Sequence, residues 1–122
     1  MEPHDDATPS VLAAEAGVAV RRLACCVDGG KLRAPAEMYQ VLGILQLLVE
    51  DVGQLLPSVQ AELEDGLLAG RLVRHAVGDE VTDTWDRVGE VGCALAHART
   101  LALRMTKELE HSQTAMRDLT GP

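Results

Sequence analysis

Aromatic side chains are almost missing from this sequence, which has no Phe, one Trp and one Tyr in 122 residues. A β-rich domain draws on aromatic and β-branched cross-strand pairs, so their scarcity argues against one. Helices remain as the elements that can build a core from Leu, Val, Ala and Met, and a hydrophobic content of 47% can supply it. Also missing is an apolar run of membrane-spanning length. The longest, Val41 to Val49, contains Gln46 and is closed by Glu50 and Asp51, so no transmembrane helix is expected. Cysteine is sparse and odd in number, at Cys25, Cys26 and Cys93. Adjacent cysteines rarely bridge each other and no secretory leader precedes them, so reduced thiols and a cytoplasmic location are expected. Positive charge is in deficit, with 11 Lys and Arg against 19 Asp and Glu and a net charge of −8, which works against general phosphate-backbone binding.

What is present is organised around the stretch from Glu80 to Leu119. Counted in sevens from Val81, the first positions are Val81, Val88, Leu95, Ala102, Leu109 and Met116, all apolar. The fourth positions, Thr84, Val91, Ala98, Met105, Ser112 and Leu119, are apolar or small. A repeat of seven held this long keeps one seam of a helix facing a partner. At a rise of about 1.5 Å per residue the helix would be on the order of 60 Å long, more than a compact domain of this size covers by itself. Part of it is therefore expected to meet another copy or another protein. Gly89 and Gly92 mark a place where it could kink.

The rest of the chain reads in order. Residues 1–9 are acidic and contain two prolines, an expected flexible tail. Ser10 can cap a helix over about 10–27 that ends at Asp28-Gly29-Gly30. A second helix, about 36–56, is apolar nearly all round and belongs in the middle of a bundle. Its Gly43 and Gly53 each cost about 1 kcal/mol relative to Ala unless close packing recovers it. Pro57 should stop it and start a third helix over about 58–76, acidic early (Glu62, Glu64, Asp65) and basic late (Arg71, Arg74, His75), as the helix dipole favours. The fourth helix, about 80–119, completes a single domain over 10–122. The expectation is an all-α, four-helix bundle-like domain with a long C-terminal helix of coiled-coil type.

Few constellations carry chemistry. Within Ser10 to Val27, Gly17 can serve as a turn, with Leu12, Ala13 and Ala16 before it and Val18, Leu23 and Cys26 after it. The run AAEAGVAVRRLACCVDGGKLRAP resembles the helix-turn-helix of small bacterial regulators and excisionase-like proteins. That resemblance implies DNA contact through Arg21, Arg22, Lys31 and Arg33, although the presumed reading helix offers no Asn, Gln, Ser or Thr. Cys93 and His97 stand at i, i+4, a spacing that can hold Zn²⁺, but no second ligand pair accompanies them. Glu108 before His111 is an isolated Glu-x-x-His. The histidines are scattered and no nucleophile or Gly-rich phosphate loop accompanies them, so catalysis, metal and cofactor are not expected. The stretch from Pro35 to the C-terminus resembles small, uncharacterised helical proteins of high-GC bacteria, a likeness that implies no activity. The function expected is a non-catalytic interaction or assembly module, forming a homodimer or docking a helical partner. Its interface residues are Val88, Leu95, Ala102, Met105, Leu109 and Met116, with Trp85 as an anchor. The alternative is a small DNA-binding regulator dimerising through the same helix.

Overall fold

In the computed structural model of the chain, residues 7–70 and 80–120 are described, and among them all regular structure is α-helical. There are three helices, α1 Pro9–Asp28, α2 Pro35–Leu68 and α3 Glu80–Thr120. The chain divides into two compact units, Met1–Met38 and Tyr39–Pro122. The first contains α1, and the second contains nearly all of α2 together with α3.

In the first unit the helix starts earlier than Ser10. Thr8 is the cap, its side-chain oxygen accepting from the Val11 amide at 3.3 Å, and Pro9 occupies the first turn, where its missing N–H costs nothing. From there α1 runs unbroken to Asp28, and Gly17 sits in mid-helix with nothing within 4 Å of where a side chain would begin. The single helix expected over about 10–27 is thus formed, without the turn that the alternative placed at Gly17, because a lone Gly taxes a helix by about 1 kcal/mol without breaking it. The end falls where Gly29 and Gly30 allow it. Gly30 adopts φ 77°, and the amides of Gly29 and Lys31 donate to the carbonyls of Cys25 and Cys26 at 2.9 and 3.0 Å.

The second unit corrects the helix count. The two helices expected over 36–56 and 58–76 are a single element, α2, which passes through Pro57. Proline removes one backbone donor, and its ring crowds the carbonyl four residues earlier. That residue is Gly53, where there is no side chain to add to the crowding. The helix ends instead at Gly70, which adopts φ 78° and donates to the Leu67 carbonyl at 3.2 Å. Arg71, Arg74 and His75, the expected basic end of the third helix, lie outside the described residues, as does most of the acidic tail. The side chain of Val81 lies outside them too.

Because α2 is continuous for 34 residues, it contains an 18-residue window of mean hydropathy 1.3, long and apolar enough by composition to cross a membrane. The short run Val41 to Val49 does not reveal this, since apolar residues continue beyond Glu50 and Asp51. Those two adjacent carboxylates oppose insertion, at about 2.5–3.5 kcal/mol for a charge at the centre of a span.

α2 and α3 pack antiparallel, with glycines at the contact. A side chain at Gly53 would lie 3.3 Å from the Ala102 methyl, and one at Gly43 or Gly92 would meet Gln113 or Gln60. The Gln113 amide also donates to the Tyr39 carbonyl at 3.3 Å. These pairs fix the register along the whole contact and bring Gly66, which is buried, level with Val88. The glycines thus recover by close approach what they cost in helix propensity. α3 remains helical through both Gly89 and Gly92.

Candidate interaction surface

The seam between α2 and α3 takes up the first positions of the count of sevens. Val88 is 6% exposed, and Leu95, Ala102, Leu109 and Met116 are partly buried. Beside them in the seam stand Gly92, Thr106 and Gln113, each four residues after a first position and each small or polar. Thr106 is buried, and its hydroxyl donates to the Ala102 carbonyl at 2.9 Å, so it needs no partner from α2. The residues expected to meet another molecule thus have a neighbour in their own chain. The apolar repeat records that a face is covered without saying by which helix. Met105 and Trp85, expected in the same interface, are outward, at 53% and 48% exposure.

Two sides of this helix pair remain open, and they differ in chemistry. One is a pair of shallow grooves of about 350 and 320 Å³ that share Arg99 and Leu103 of α3. Pro57 and Gln60 line the first, and Glu50 and Gln54 the second. Gln60 donates to Glu64 at 2.7 Å, while its buried carbonyl oxygen has no hydrogen-bond partner. Trp85 lies on the same side of α3 as Leu103, a whole number of turns away.

The opposite side is apolar on both helices. On α2 the stripe Val41, Leu48, Val52, Leu55, Val59 repeats at helical spacing and contains no charged residue, with Asp51 at its outer margin. On α3 the matching stripe is Val91, Ala94, Ala98, Met105, edged by Leu101, again without charge. Most of these side chains are exposed, Leu55 at 57% and Leu101 at 61%, while Val41 and Ala98 are half-buried. The fourth positions of the repeat lie here. Sequence reasoning missed the α2 half of the face because that helix is apolar nearly all round, leaving no polar side to orient it.

The other candidates are placed as follows. Arg21 and Arg22 are exposed on α1, about 100° apart around the helix, and Lys31 and Arg33 are exposed in the following loop. Arg33 turns back to donate to the Gly30 carbonyl at 2.7 Å. Arg21 and Arg22 stand on one unbroken helix, with no turn at Gly17. Cys93 and His97 are exposed on α3, and no cluster of three or more His, Cys, Asp or Glu capable of holding a metal occurs among the described residues. The Arg117 guanidinium lies 3.5 Å from the Tyr39 hydroxyl, a hydrogen bond that raises its pKa above the ordinary value, with the charge of Asp118 adding slightly.

Among the described residues the protein is all-helical, and one of the two open sides of its α2/α3 pair is apolar. Comparison with protein-family models, characterised proteins and solved structures finds no match to this chain.

Proposed function

We propose that this protein is a non-catalytic helical assembly module that acts by associating through its second unit, with α3 contributing one half of a bundle-type contact. One observation carries the reading. Among the described residues Val88 is the only buried hydrophobic side chain, while Leu48, Val52, Leu55, Val59, Val91, Leu101 and Met105 remain exposed to solvent. A pair of helices with so small an interior gains little from folding alone, because each ordered residue gives up about 1–2 kcal/mol of backbone entropy. Covering a half-exposed Leu, Val or Met returns on the order of 1 kcal/mol. Seven such side chains on each of two surfaces amount to roughly 14 kcal/mol, the scale of the estimated 4–15 kcal/mol lost in association. The exposed face is thus large enough to hold a partner.

The test is the solution mass by light scattering across a wide concentration range, with sheared DNA added to a parallel sample. A multiple of the 13.0 kDa chain mass that ignores DNA is the expected result. A single-chain mass that shifts only with DNA, and returns in salt, would replace this reading with the nucleic-acid one.

A further inference from the structure

We infer that the occupant of the apolar α2/α3 face is a second copy of this chain, seated so that each α2 lies over the α3 of its partner in a two-fold, four-helix arrangement. This rests on the assembly reading and specifies its partner. Three features select a second copy. The first is size. The face runs about 25 Å along the helices and about 20 Å across the pair. It therefore projects roughly 500 Å², which side-chain relief brings towards the ~800 Å² per partner of a standard stable interface.

The second feature is the distribution of bulk. The α2 stripe is made of large side chains, Leu48, Val52, Leu55 and Val59, whereas the centre of the α3 stripe is small, Ala94 and Ala98. One face thus carries both a ridge and the shallow channel that receives such a ridge, which is what an isologous contact requires. A two-fold axis running along the helix pair brings ridge over channel and keeps each residue at its own height. The register that sets Gly53 against Ala102 then places Leu55 level with the gap between Ala98 and Leu101 of the second copy, and Val59 level with the gap between its Ala94 and Ala98.

The third feature is charge. The molecule carries a net −8, which repels anionic lipid surfaces, yet neither stripe contains a charged residue. A face without charge matches itself better than it matches a bilayer headgroup region or an ionic partner.

The experiment uses the full chain with Cys25, Cys26 and Cys93 changed to Ser. Leu55→Cys and Ala98→Cys are introduced in separate chains, which are mixed and oxidised. Light scattering on the parent should give twice the chain mass, and the mixture should give a disulfide-linked heterodimer in at least about tenfold excess over either variant oxidised alone. Leu55→Asp should halve the mass, while Leu103→Asp, on the groove side, should leave it unchanged. Helical content by circular dichroism follows each sample. Should Leu55→Asp also unfold the chain, the cross-linking result decides. A dimer in which Leu55→Cys links only to itself, or which Leu103→Asp splits, overturns this arrangement and leaves the assembly reading standing. A parent of single-chain mass at every concentration overturns both, and sedimentation of that monomer with zwitterionic lipid vesicles would assign the face to lipid.

Discussion

Glycine does two different jobs in this molecule, and single substitutions separate them. Gly53 is buried against the Ala102 methyl, so Gly53→Leu has no room and should lower stability by about 1–3 kcal/mol in denaturant titration. Gly89 has nothing within 4 Å, and Gly89→Ala should raise stability by about 0.5–1 kcal/mol through helix propensity alone. If Gly53→Leu proved harmless, the close approach of α2 to α3 would be wrong. Thr106 makes its hydrogen bond within its own helix, so Thr106→Val leaves no group unpaired, and the midpoint should move by less than about 0.5 kcal/mol. Arg117 has its pKa raised by Tyr39, so in the folded state it keeps its proton to higher pH than in the unfolded chain. Whatever this contributes is fully present below the unfolded value and lost only above it, so the pair adds no pH dependence near neutrality. The glycine roles are only half legible from sequence. That Gly43 and Gly53 needed close packing is evident from their place in an apolar helix. Which glycine meets which residue depends on a register that no local pattern encodes.

At the level of elements, Pro57 is the instructive case. Proline inside a helix normally marks a boundary, and reading it so divides α2 in two. The helix continues because residues on either side of it, Gly43 and Gly53 before and Gln60 and Gly66 after, belong to one contact with α3, and tertiary packing outweighs a local penalty of about 3 kcal/mol. Pro57→Ala restores a donor for the Gly53 carbonyl and should raise the unfolding midpoint, by an amount equivalent to roughly 1–3 kcal/mol. A lower midpoint would mean that the ring makes a packing contact worth more than the helix penalty. The extent of α3, expected over about 80–119 and found over Glu80–Thr120, was legible, because a repeat of seven runs uninterrupted through it. Gly17 did not break the single helix expected over about 10–27, since a permissive residue in an otherwise helical run marks a possible turn and does not compel one.

The all-helical class follows from composition, through the missing aromatics and the abundance of Leu, Ala and Val. How the chain completes its core does not, because α2 is apolar on most of its circumference and gives no sign of which side faces α3 and which side faces outward. Two measurements address the whole protein. The thermal midpoint should rise with protein concentration, as it does whenever association stabilises the folded state by mass action, and a midpoint indifferent to concentration would argue for a self-sufficient monomer. Added salt should tighten the association, since two chains of net −8 repel one another until screened while the apolar contact gains. Weakening with salt would instead point to ion pairs across the contact.

The thin interior of α2 and α3 has a consequence for dosage. If the chain pairs as inferred above, it is open to proteases whenever it is scarce and protected once it is plentiful. Its half-life would then depend on its own abundance, so that low expression is cleared and only production above a threshold accumulates.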